Sequence, residues 1–175
     1  MSDMFEKKIE KIIPVAAGII LRSTKEKGVD EVLLIRRAKD DHFPHQSEIP
    51  RGKCDQGDKN KLLDCLKREV KEETGLDIEP TEFVGKFSYI ADEGKRKSTQ
   101  YNYVCRMIDP TQEVKLSNEH DGYCWVKTVG EAQLHLMPEV AKIIADVLNP
   151  KMKIYDYPEN ENVEKTIDEY LSYIG

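Results

Sequence analysis

The sequence predicts an α+β domain built on a mixed β-sheet held between helices. Three observations carry that expectation. Apolar, β-branched runs begin at residue 11 and recur beyond residue 80. Two segments, one between those runs and one after them, show helical periodicity instead. The elements therefore follow the order strands, helix, strands, helix. With 175 residues the chain is long enough for one domain with a proper core.

Lys11 to Arg22, KIIPVAAGIILR, reads as a buried strand, and Glu31 to Arg37, EVLLIRR, as its antiparallel partner. Ala38 to Ser47 is polar, with two histidines and a proline, and reads as a loop. Glu48-Ile49-Pro50 reads as a short strand entering a glycine-punctuated loop. Residues 61 to 74 read as a helix: Leu63, Leu66 and Val70 form an apolar stripe, while Asp64, Lys67 and Lys71 face water. Gly75 ends it as a C′ glycine. Glu82 to Ala91 and Ser98 to Ile108 read as strands joined by a basic tip, Asp92 to Lys97. Gly122 to Lys127 reads as a further short strand. Thr128 to Leu134 and Pro138 to Leu148 read as helices, the second with Val140, Ile143, Ile144 and Val147 on one face.

Composition shifts after Asn149-Pro150. Val163, Ile167, Tyr170, Leu171 and Ile174 give a short amphipathic helix that packs on the body or meets a second subunit. The expected division is a domain at 1–150 and a C-terminal extension at 151–175. From Asp156 onward six acids oppose Lys165 alone, so this tail holds −5 of the chain's net −6. That balance excludes a broad, non-specific nucleic-acid binder. No apolar run approaches the ~18 residues of a membrane span. The opening MSDMFEKKIEK is charged and lacks an apolar signal core, so a cytoplasmic protein is expected. Cys54, Cys65, Cys105 and Cys124 make no C-x-x-C pair and no zinc spacing; four reduced thiols are expected, with Cys65 packing in the helix.

Arg68-Glu69-Val70-Lys71-Glu72-Glu73-Thr74-Gly75-Leu76 is the segment with chemical content. On a helix, Glu69, Glu72 and Glu73 stand at i, i+3 and i+4 and share one face. Like charges so placed cost a few tenths of a kcal/mol each, roughly. A hard divalent cation with oxygen ligands removes that cost. Alone, E-x-x-E-E also fits a solvated face; the preceding Pro50-Arg51-Gly52-Lys53 favours a phosphate site.

Residues 50–76 together resemble the signature of the Nudix hydrolases. Gly52 is followed by five residues and Asp58, where the family usually has Glu, and the next gap is nine residues rather than seven. From Arg68 to Leu76 the match is complete. The resemblance implies an α/β/α sandwich and metal-dependent hydrolysis of a nucleoside diphosphate linked to another group. Glu69, Glu72 and Glu73 would hold Mg²⁺, or Mn²⁺, and the resemblance adds the Gly52 carbonyl. Arg68 would hold the carboxylates through its planar fork. Downstream, Glu119-His120-Asp121-Gly122-Tyr123-Cys124-Trp125 resembles the E-H-x-x-Y-x-W segment of the dinucleoside-tetraphosphate hydrolase branch. Glu119 is the candidate base or additional ligand, and His120 a candidate proton shuttle. Arg37, Arg51 and Lys53 are candidates for substrate phosphates, with Lys95, Arg96 and Lys97 further out. One of Tyr101 and Tyr103 would offer a ring to a base, and Trp125 belongs to the core.

The expected activity is hydrolysis of a dinucleoside polyphosphate such as diadenosine tetraphosphate. The alternatives are decapping of capped or triphosphorylated RNA, hydrolysis of a diphosphoinositol polyphosphate or nucleoside triphosphate, a silent nucleotide-sensing module, and a scaffold or oligomer acting through the C-terminal helix.

Overall fold

The computed structural model describes residues 11–40, 45–55, 61–91, 94–130 and 136–149. β1 (Lys11–Ser23) is the spine of a mixed sheet. It pairs in parallel with β6 (Arg96–Met107), from Lys11 opposite Arg96 to Leu21 opposite Arg106. It pairs antiparallel with β2 (Asp30–Arg37) and with β4 (Arg51–Lys53). β2 also takes β3 (Ser47–Glu48) and β7 (His120–Val126), and β6 takes β5 (Ile78–Ala91).

A strand covered on both faces reads as a continuous apolar run, and β1 has that pattern for this reason. Ala16 and Ile20 enter one core, with Leu62, Leu66 and Val70 of α1 (Leu62–Thr74). Ala17, Ile19 and Leu21 enter the other, with Val140, Ile143 and Ile144 of α2 (Pro138–Leu148). The sheet therefore lies between two helices. Among the described residues, no helix is long and apolar enough to cross a membrane.

The structure shifts several expected details. The apolar face of α1 centres on Leu62, Cys65, Leu66, Val70 and Thr74, and Leu63 is only half-buried. β5 begins at Ile78 rather than Glu82, because register shifts between Pro80 and Glu82 and between Phe83 and Lys86 break the two-residue alternation; Gly85, at φ 118°, lies in the second. Thr128 to Gly130 form a bend and turn instead of opening a helix. The rest of that expected helix, the helix of the 151–175 extension, and Asp58 lie outside the described residues.

Cysteine usage is also corrected. Cys54 and Cys65 form a disulfide, with Cα atoms 5.4 Å apart, leaving Cys105 and Cys124 as thiols. Pairing of β4 with β1, continued by the Cys54 N–H donating to the Pro14 carbonyl at 3.0 Å, carries the end of β4 to the first turns of α1.

At the other end of α1, Gly75 adopts φ 73° and its N–H caps the Lys71 carbonyl. The Lys115 and Ser117 N–H groups satisfy the carbonyls of Thr74 and Glu73, at 2.8 and 3.2 Å. The segment leading to Glu119 is thereby docked on the end of the helix that carries Glu73.

Candidate active site

The site begins where β4 passes beneath α1. Gly52 lies opposite Ala16 of β1, and the Glu69 carboxylate rests against its Cα, so that any Cβ at Gly52 would collide with it. Glycine is required here for the close approach. One turn further along, Glu73 is buried, and its Oε2 accepts the Arg51 N–H at 3.0 Å. Glu72 is more open, its side chain 57% exposed. Arg68 joins these parts. Its Nη1 makes an ion pair with Glu69 Oε1 at 3.0 Å and donates to both Glu72 oxygens at 3.2 Å, and its Nη2 donates to the Lys53 carbonyl at 3.2 Å.

Burial is the main cause that pushes the Glu73 carboxyl up, to about 9. Repulsion from Glu48, Glu69 and Glu119 adds to it, against the Arg51 N–H, which favours the charged form. Without a cation, Glu73 keeps its proton at neutral pH. These residues fit a hard divalent ion: the donors are carboxylate and backbone oxygens, and the buried carboxylate ionises only when positive charge arrives.

Beside Glu73 lies a second buried carboxylate, Glu48. Its Oε1 is 2.8 Å from His120 Nε2, and its Oε2 accepts from Arg37 Nε at 3.1 Å and Arg51 Nε at 3.3 Å. Burial acts to raise its pKa, but the His120 hydrogen bond and the charges of Arg51 and Arg37 outweigh that and hold it below the usual value. Arg51 extends onward, its Nη1 donating to Tyr89 Oη at 3.0 Å and to Gln100 Oε1 at 2.9 Å. Gln100 is braced in turn by Asn102.

The structure thus gathers Gly52, Arg68, Glu69, Glu72 and Glu73 at one junction, with Glu119 near enough to act on Glu73. Arg37 and Arg51 turn onto Glu48, while Lys53 and Glu119 are exposed. Lys95 is exposed, and Arg96 and Lys97 begin β6.

Tyr101 and Tyr103 are placed differently from the expectation. Two residues apart on a strand, they share a face rather than alternating. Both are fully buried in the core beneath α1, where Tyr103 packs on Phe83 at 5.4 Å between ring centroids. The partly open ring on this junction is Tyr89, with the Arg51 guanidinium 5.5 Å from its centroid. Trp125 is half-buried against the same core, under Arg22. Sequence reading misses Glu48 and Tyr89. The one signal for Glu48 is an acid set against Ile49 and Pro50 in a segment that folds inward.

Among curated proteins no relative matches the chain in sequence. Solved structures do match its fold. The Ap4A hydrolase of C. elegans, as a binary complex, superposes with a TM-score of 0.61 at 21% identity, covering 75% of this chain and 92% of that one. The MutT protein of Methanosarcina mazei Go1 gives 0.61 at 25% identity, covering 81% and 96%. The NUDIX domain of Shewanella oneidensis NrtR, complexed with ADP ribose, gives 0.59 at 17% identity, covering 83% and 91%. The NUDIX domain family matches residues 13–147, a span that contains α1, the whole carboxylate junction and all but the last residue of α2, and the chain belongs to this family of pyrophosphohydrolases.

Proposed function

We propose that the chain hydrolyses a phosphoanhydride bond of a dinucleoside polyphosphate such as diadenosine tetraphosphate, using Mg²⁺ or Mn²⁺. The observation that carries the reading is the meeting of the α1 carboxylates with the side-chain-free strand at Gly52. Glu69, Glu72, Glu73 and the Gly52 carbonyl would hold the ion. Bound there, it supplies charge neutralisation for phosphate oxygens and lowers the pKa of water. Arg68 keeps Glu69 and Glu72 aligned. Glu119, exposed beside the junction, accepts the proton of the attacking water. Lys53 meets phosphate as a mobile charge, and Arg37 and Arg51 as fixed ones. Tyr89, rather than Tyr101 or Tyr103, offers a ring for a base.

Two further points support the dinucleotide as substrate: the E-H-x-x-Y-x-W segment at Glu119 to Trp125, and the Ap4A hydrolase among the structural neighbours. A substrate screen with Mg²⁺ and Mn²⁺ tests the reading. A dinucleotide yields ATP plus AMP, or two ADP, whereas capped RNA would release a methylated nucleoside diphosphate. Glu72→Gln should lower kcat by several orders of magnitude, because metal-ion stabilisation contributes several kcal/mol. Near-normal turnover in that variant would remove the glutamate cluster from the chemistry.

A further inference from the structure

We propose that Glu48 is a positioning residue that sets Glu119 in place through His120, a role that rests on the hydrolase reading above. Glu48 is almost fully enclosed, and its three partners come from three strands: Arg37 from β2, Arg51 from β4 and His120 from β7. Two of those partners lead straight to the reacting groups. The Arg51 peptide N–H holds Glu73 Oε2. His120 immediately follows Glu119, its N–H donates to the Ser117 carbonyl at 3.3 Å, and the Ser117 N–H donates to the Glu73 carbonyl. Glu48 therefore closes a ring that joins Glu73 to Glu119 through side chains on one side and backbone on the other.

The rival role for this cluster is a second cation site, since ligand atoms of Glu48, Glu73 and His120 all lie within 4.8 Å of one another. Two features disfavour it. Arg37 and Arg51 already supply positive charge to Glu48. A ligating histidine normally donates its other ring N–H to an acceptor, and among the described residues the buried His120 Nδ1 has no hydrogen-bond partner. Glu48, held ionised, can only accept, so His120 Nε2 carries the proton and donates it to Glu48, which orients the ring.

The two branches of the ring are unequal. Arg51 keeps Tyr89 and Gln100 as partners if Glu48 is altered. Among the described residues, His120 has Glu48 as its one side-chain hydrogen-bond partner. Glutamine at 48 turns an amide N–H toward the His120 N–H or toward the guanidinium groups, so the His120 branch loosens first. In Glu48→Gln, kcat should fall by about 10- to 100-fold, the scale of a small misplacement of a reacting group. The decisive measurement is a double-mutant cycle. On a Glu119→Gln background the same substitution should lower kcat by less than about threefold, because the two act as one unit. Additive losses, or an effect on KM alone, would overturn the proposal. Hydrogen exchange of the Ser117 to His120 amides gives a readout independent of turnover: it should quicken in Glu48→Gln while exchange in α1 is unchanged. Unchanged exchange in that segment would equally overturn the proposal. A wild-type protein that cleaves no nucleotide would defeat the hydrolase reading, while the exchange result would still decide whether Glu48 positions that segment.

Discussion

Gly52 and Glu73 set the terms of the site at the scale of single residues. Gly52 has no room for a methyl group, because the Glu69 carboxylate occupies that space. Gly52→Ala should displace Glu69 and lower kcat/KM by about 100-fold or more; steady-state kinetics beside a Mn²⁺ titration would show both losses together. For Glu73 the sign of the pH effect follows from its raised pKa of about 9, against 4.5 as the ordinary value. Its contribution to stability is intact below about 4.5 and is lost as pH rises through about 9, because the folded state binds the proton that the unfolded chain releases. Cation-free protein should therefore melt at lower temperature as pH climbs across that window, and Glu73→Gln should abolish that part of the slope. A cation must expel the proton to bind, so the gain in Tm from Mn²⁺ should be larger at pH 8 than at pH 6. Equal gains at the two pH values would show that Glu73 is not a ligand.

Some residues of this site are legible in the sequence and others are not, for a physical reason. Glu69, Glu72 and Glu73 lie within one helical turn of each other, so spacing alone places them on a common face. Glu48 acquires its meaning from Arg37, Arg51 and His120, and the last of these is 72 residues away. No local pattern encodes such a contact. Tyr101 and Tyr103 show the converse. Their spacing already dictates a shared face, and burial on both faces of β6 leaves neither open to a ligand.

At the scale of elements, α1 is held at both ends by different means. Gly75 and the docked Lys115 to Ser117 segment close its C-terminal end, and the glycine is visible in the sequence. Its N-terminal end has no side-chain cap from Lys61 and is tied to β4 by the Cys54–Cys65 disulfide. That tie is invisible to spacing rules, because it depends on β4 pairing with β1. A cross-link spanning 11 residues contributes about 3 kcal/mol in the chain-entropy account. Melting with and without a dithiol reductant should show a loss of that order, and Cys54→Ser should reproduce it without reductant. Because Cys65 Sγ lies 4.0 Å from the Gly52 carbonyl, Mn²⁺ affinity should weaken in the same samples.

At the scale of the molecule, the described residues form two cores separated by one sheet, and these can be perturbed separately. Ile144 of α2 is fully buried in the core away from α1. Ile144→Ala should cost about 2–5 kcal/mol of stability by leaving a cavity, while Mn²⁺ affinity stays at the wild-type value below the melting transition. Loss of both together would mean that the sheet transmits packing changes to the carboxylate junction. The alternation of strands and helices made this layering legible; the register shifts in β5 and the pairing of β4 with β1 were not, because each is settled by a neighbouring strand rather than by its own residues.

The parallel pairing of β1 with β6 has a consequence for how the chain is made. Each residue of β1 meets its partner in β6 only after 85 further residues have been synthesised, the constant offset from Lys11–Arg96 to Leu21–Arg106. Until then an apolar ribbon waits without its mate, and non-local pairing of this kind is slow. Nascent chains halted before Arg96 should be clients of chaperones, and those that pass Met107 should be released from them.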